Sequence, residues 1–99
     1  MTLHILSTSP ANTHVFDACC AALRPADALL LLGDGVYAAL RESLAAERLA
    51  ALPESITIYV IEEDCAIRAV YARAAFAHAL DYPGFVSLAC EHARSVSWF

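Results

Sequence analysis

The side chains in this sequence best suited to chemistry are four cysteines, Cys19, Cys20, Cys65 and Cys90. Their chemistry would be that of a thiolate, which attacks a persulfide or disulfide sulfur and can pass that sulfur on. They form no CxxC pair and no evenly spaced framework, which fits reduced thiols better than disulfides. On a helical wheel Val15, Phe16, Cys19, Cys20 and Leu23 share one apolar stripe, with His14, Asp17, Ala21 and Arg24 opposite. Cys19 lies nearer the centre of that stripe and Cys20 nearer its margin. Both read first as small core hydrophobes, and neither sits close enough to the helix start for backbone N–H groups to favour a thiolate. Cys65 follows Asp64, which reads as an N-cap and would place the thiol in the first turn of a third helix, where free N–H groups favour ionisation. Glu62, Glu63 and Asp64 oppose it by like-charge repulsion. Cys90 and His92, two apart on a last helix, point to different faces, and no second ligand pair completes a zinc site.

Gly33-Asp34-Gly35-Val36-Tyr37-Ala38 fits the G-x-G-x-x-G/A dinucleotide pattern between a strand and a helix. It follows the second strand rather than the first, Asp34 would repel a pyrophosphate, and the acid about twenty residues on, Glu54, precedes the next strand instead of ending it. A tight turn is the better reading, and a nucleotide-binding module the weaker alternative. His4 and His78 lie within or beside apolar runs and read as core or interface histidines. No Ser/His/Asp or paired-carboxylate arrangement is legible.

These residues must be positioned by a repeated alternation. Leu3–Ser7 precedes a helical run from about Thr13 to Leu23, Ala28–Leu32 precedes one from about Val36 to Leu52, and Ser55–Glu62 precedes one from Cys65 to Phe76. Ala79-Leu80 reads as a brief fourth strand, Phe85 to Ala93 as a short helix, and Val96–Phe99 as a fifth strand. Apolar runs alternating with helical periodicity are the signature of βαβ units. The expected architecture is an α/β domain over residues 1–99, a central, mostly parallel sheet of about five strands flanked by helices in flavodoxin-like layering. Pro10, Pro25 and Pro53 punctuate it, and Asn12 or Thr13 caps the first helix.

Composition narrows the function. The chain has 99 residues, enough for one modest core, and is 60% hydrophobic against a usual share of about 45–50%. No run reaches the ~18 apolar residues of a membrane span, so the surplus points to a subunit interface. Trp98 and Phe99 on a terminal edge strand would need a partner to cover them. The formal charge is −5, and the six cationic residues, all Arg, are scattered at positions 24, 41, 48, 68, 73 and 94, which disfavours direct nucleic-acid binding. The opening Met-Thr-Leu-His-Ile-Leu-Ser has no basic segment and no long apolar segment, so a cytoplasmic protein is expected.

Several of these residues together resemble a known family. Leu3-His4 followed by Ser9-Pro10, the Leu-rich strand leading into Asp34-Gly35-Val-Tyr-Ala-Ala-Leu40, Tyr59-Val60 with Glu63-Asp64, Asp81-Tyr-Pro-Gly-Phe-Val86 and Trp98 resemble the DsrH/TusB family of sulfur-relay proteins nearly end to end. The resemblance implies a small DsrEFH-like α/β fold. It also implies assembly with DsrE/TusD-like and DsrF/TusC-like subunits into a heterohexamer, a dimer of heterotrimers, with no cofactor. In the Tus branch, sulfur from a TusA-like carrier passes through a TusE-like protein toward 2-thiouridine at the tRNA wobble position. In the Dsr branch the same architecture serves dissimilatory sulfur oxidation. Dsr-type members carry a cysteine in the first helix that falls on Cys19 here, which makes Cys19 the candidate catalytic residue. The resemblance also places a sister subunit's sulfur-carrying cysteine near the end of the third strand, the neighbourhood of Cys65. Three roles follow: a tRNA-thiolation subunit that is itself mainly structural, a sulfur-oxidation subunit, or a stand-alone thiol sulfurtransferase.

Overall fold

The computed structural model describes all residues, Met1–Phe99. Five strands, β1 (Thr2–Leu6), β2 (Ala28–Leu31), β3 (Thr57–Ile61), β4 (Ala77–Leu80) and β5 (Arg94–Trp98), form one fully parallel sheet in the order β4-β3-β2-β1-β5. Four α-helices connect them: α1 (Thr13–Ala22), α2 (Leu44–Ala50), α3 (Glu62–Ile67) and α4 (Tyr82–Cys90), with a 3₁₀ helix at Gly33–Ala39 ahead of α2. The expected α/β architecture is present.

The chain steps outward from β1 to β4, then returns past β1 to lay down β5. Right-handed crossovers put the first three connections on one face and the reversed last one on the other. The cores follow this division. Leu6, Leu29, Leu31, Ile58 and Val60 pack against Phe16, Cys19, Cys20, Leu23, Val36, Leu49, Cys65 and Val70. On the opposite face Leu3, Ala28, Leu30 and Ile61 meet Leu88 of α4 alone, with Ile5, Tyr59, Leu80 and Phe85 half-buried around it. The central strand β2 is buried on both faces, which is why its sequence is an unbroken apolar run rather than an alternation.

Two helical runs are shorter than periodicity predicts. The run Val36–Leu52 is broken: the 3₁₀ helix ends at Ala39, Glu42 takes a left-handed φ of 71°, and Ser43 starts α2 afresh by accepting the Ala46 N–H at 3.1 Å. The run Cys65–Phe76 stops at Ile67. Ala69, at φ 55°, donates to Ala66 O while Val70 N–H returns to Cys65 O at 2.9 Å, a Schellman ending with alanine where glycine is usual. Residues 70–76 are then stitched to the end of the 3₁₀ helix, with Arg41 N–H on Ala72 O and Ala74 N–H on Ala39 O, both at 2.8 Å.

At the last helix Asp81 accepts the Gly84 N–H at 2.7 Å with Pro83 in the first turn, so α4 begins three residues earlier than expected and ends at Cys90. β4 and β5 each start two residues before their expected positions.

Candidate functional site

The thiols are the first test of function. Phe16, Cys19 and Cys20 form the buried stripe of α1, continued by buried Leu23 just past its end; Val15 is half-buried beside it, and Asn12 caps the helix start. Cys19 is 0% exposed and Cys20 6%, the ranking the wheel predicts. Burial, reinforced by the neighbouring Cys20 sulfur, pushes the Cys19 thiol up to about 12. Burial also raises Cys20, against a partial opposing pull from Arg48.

Cys65 is fully buried as well. Its place in the helix differs from the expected one: α3 starts at Glu62 with Ile61 in the cap position and no capping side chain, so Asp64 is inside the helix and Cys65 lies beyond its first turn. Burial pushes the Cys65 thiol up, with Glu62 and Asp64 adding to it and Arg73 and Arg68 opposing. Only Cys90 is exposed. His92, just past the end of α4, turns its Nδ1 to Leu88 O at 2.9 Å. With native protein near neutral pH, iodoacetamide should label Cys90 and leave the other three thiols until the chain unfolds. Labelling of Cys19 as fast as Cys90 would contradict this burial.

Asp64 has a different task from the cap that the sequence suggests. Buried at the carboxyl end of the sheet, it accepts Gly33 N–H at 2.8 Å and the Tyr82 hydroxyl at 3.0 and 3.1 Å. Arg68 donates to Asp34 at 2.8 Å and stands 3.9 Å from Asp64. One carboxylate thus ties together the loops that follow β2, β3 and β4. Its hydrogen bond holds the Tyr82 phenol above its ordinary pKa.

The glycine pair of the dinucleotide-like motif is absorbed by packing. Gly33 supplies a left-handed φ of 54°, and Gly35 lies directly on the Leu6 carbonyl at the end of β1. In a doubly wound sheet that is where a pyrophosphate would rest. Here backbone fills it. Arg48, Arg68 and Arg73 are likewise engaged by carboxylates, Arg73 in a two-pronged contact with Glu62.

A buried polar chain joins the ends of the protein, and the sequence alone does not reveal it. Asp27, at the turn into β2, accepts Thr2 N–H at 2.9 Å and Arg24 N–H at 3.0 Å, and lies 3.2 Å from His4 Nε2. Trp98 Nε1–H donates to His4 Nδ1 at 3.1 Å. The two rings are within 16° of coplanar with centroids 6.2 Å apart, the arrangement of an edge-on N–H···N bond rather than of stacked faces. Burial pushes the Asp27 carboxyl up, but the bonds from Thr2, Arg24 and His4 outweigh it, and its pKa lies below the ordinary value. The reading of His4 as a core histidine holds. His78 is instead exposed on the edge strand β4, tilted against Tyr59 at 5.9 Å. The residues of the chain stand 23 and 94 positions apart, so no local spacing rule could have joined them.

Comparison with known proteins agrees with this architecture. A model of the DsrH like protein family matches residues 8–95. Protein TusB of Pectobacterium parmentieri is 36% identical over 97 residues, covering 97% of this chain and 99% of that protein. Protein TusB of Erwinia tasmaniensis is also 36% identical over the same shares of both chains, and that of Klebsiella pneumoniae subsp. pneumoniae is 34% identical over them. Among solved structures, the solution NMR structure of Protein Tm0979 from Thermotoga maritima superposes with a TM-score of 0.64, covering 93% of this chain and 94% of that one. At 18% identity that likeness is one of fold. Matched by the family's model over residues 8–95 and by relatives 36% identical across 97 residues, the chain belongs to the DsrH/TusB family of sulfur-relay proteins.

Proposed function

We propose that this protein is a mainly structural subunit of a cytoplasmic sulfur-relay complex. The complex passes persulfide sulfur from a TusA-like to a TusE-like carrier for 2-thiolation of the tRNA wobble uridine. Its companions are DsrE/TusD-like and DsrF/TusC-like subunits, and one of these bears the sulfur-carrying cysteine.

The observation that carries this reading is the state of Cys19. A relay cysteine must be ionised and must reach its donor. Cys19 is enclosed by the sheet and held as a thiol by burial, so its role is to pack α1. Support for a complex comes from apolar side chains left at the surface, among them Leu44, Ile67, Tyr71, Val86 and Phe99, all more than 60% exposed. No helix is long and apolar enough to cross a membrane. The tRNA branch is favoured over sulfur oxidation because the relatives at 34–36% identity bear the TusB name.

Co-expression with the two sister subunits should give one stable complex. Intact-mass analysis after exposure to a persulfidated carrier should then place a gain of about 32 Da, one sulfur, on a sister subunit. The same gain on this chain, lost in Cys19→Ser, would make it an active relay member. Persistent monomer beside its sisters would overturn the assembly. Loss of wobble 2-thiouridine on deleting the gene tests the branch.

A further inference from the structure

The His4 network fixes where its protons are. An indole N–H only donates, so His4 Nδ1 must be a bare acceptor toward Trp98 at 3.1 Å. Nε2 then carries the ring proton and donates it to Asp27 Oδ2, which suits a carboxylate that can only accept. The arrangement needs a neutral imidazole. An imidazolium would set Nδ1–H against the Trp98 N–H, two donors facing each other in a site where His4 is 4% exposed.

The surroundings offer the extra proton little accommodation. Asp27 is the one carboxylate in contact, and it already serves Nε2, Thr2 N–H and Arg24 N–H. From β2 the register neighbour is Leu29, and from β5 it is Val96. The thiols of Cys19 and Cys20 lie on α1, which packs on this face of the sheet. The Arg24 guanidinium is turned onto the carbonyls of Ala21 and Leu23, and Arg94 pairs in register with Thr2, two places before His4, one residue from the Met1 amino group. Apart from Asp27, which is taken up by Nε2, these groups are apolar side chains, thiols and cations, and none is hydrogen-bonded to Nδ1 as an acceptor.

What the bond holds is an outer strand. β5 pairs with β1 and nothing else, and four of its five residues are exposed, Trp98 being the exception. Beyond the ladder its end is fixed by the indole on His4 and by Ser7, whose N–H and hydroxyl reach Trp98 O at 3.2 and 3.4 Å.

We propose that Asp27, His4 and Trp98 form a proton-operated latch on β5: with Nδ1 bare the end of the strand is fastened to the sheet, and a proton taken from solvent at Nδ1 releases it. Release frees the indole and bares the edge of β1 near Leu6, so acidification converts a closed sheet edge into an open one.

Trp98 is the only tryptophan, so its emission reports on the latch alone. As the pH is lowered from neutral, Trp98 emission should shift to the red and the protection of Ser7 N–H, taken relative to the intrinsic exchange rate at each pH, should fall at least tenfold. Far-UV circular dichroism should stay constant and the change should reverse. His4→Asn keeps an acceptor near the Nδ1 position but cannot take the proton, so it should hold Trp98 shut across the range. Nitrogen-15 shifts of the wild-type imidazole provide a reading that needs no variant and should show Nδ1 unprotonated in the closed state. The latch is overturned by a protonated Nδ1 at neutral pH, by an imidazole that titrates while Trp98 and Ser7 stay unchanged, or by one that takes no second proton before the sheet unfolds.

Discussion

Gly35→Ala is expected to be the most damaging one-carbon change in the protein. A Cβ at that position would overlap the Leu6 carbonyl oxygen and come within 2.9 Å of its carbon, backbone atoms at the end of β1, a strand paired on both sides. Neither side can yield without moving β1 or lifting the 3₁₀ helix off the sheet. Overpacking in a close-packed interior costs about 1–3 kcal/mol and more when backbone must move, so a loss near 3 kcal/mol is the expectation. For a domain of this size that is a fall in Tm of roughly 10–25 °C. The other two glycines calibrate the claim. At Gly84 the nearest atoms are the side chains of Asp81 and Leu80 at 3.1 and 3.3 Å, which can give way, and at Gly33 there is room but a left-handed φ. Alanine at either should cost only about 1 kcal/mol. Thermal unfolding of the three variants side by side settles the order, and a Gly35→Ala protein as stable as the Gly33 variant would show that the 3₁₀ helix does not rest on β1 as described.

The second large effect is expected at Asp27. Asp27→Ala leaves Thr2 N–H, Arg24 N–H and His4 Nε2–H without their acceptor in a buried site. Each buried donor left unsatisfied costs about 1–3 kcal/mol, so losing the one acceptor that serves three donors should cost at least about 3 kcal/mol. Acidity provides an independent check. The folded pKa of Asp27 lies below its unfolded value of about 3.9. Its contribution is therefore complete above that pH and is lost as the pH falls through the folded value. Glu62, lowered mainly by its hydrogen bond with Arg73, acts in the same direction but is half exposed, and contributes less. Stability of the wild type should thus decline steeply below about pH 4, and the decline should be visibly shallower in Asp27→Asn. Parallel curves for the two proteins would mean that the carboxylate carries no such weight.

Much of the scaffold is legible in the sequence because strands and helices here have different apolar periods. Ala28-Leu-Leu-Leu reads as a strand of a parallel sheet, and its unbroken apolar run matches a strand buried on both faces. The stripe of α1 also reads correctly, down to the order of burial of Cys19 and Cys20. What periodicity cannot see is a helix that ends for tertiary reasons. Residues 70–76 keep a helical pattern, yet they are drawn out by hydrogen bonds to Ala39 and Arg41, and Ala69 bears a conformation that no glycine advertises. Ser43, by contrast, is a capping residue in plain view, and weighting it above the apolar pattern would have divided the second helix correctly. The polar constellations were illegible for another reason. Asp64 with Tyr82, and Asp27 with His4 and Trp98, come together only through strand order, and strand order is not written in any local spacing.

That order has a consequence for how the protein is made. Strands leave the ribosome in sequence, and β1 to β4 become neighbours in the sheet in the order of their synthesis. β5 is the last of the five to emerge and its sole partner, β1, was the first, so their register closes over about ninety residues. Until β5 arrives, the outer edge of β1 therefore stands unpaired. A chain truncated before Arg94 would present that edge to whatever is near, and a circular permutant that joins β5 to β1 through a crossover linker of about a dozen residues should refold faster, because its slowest pairing has been made local.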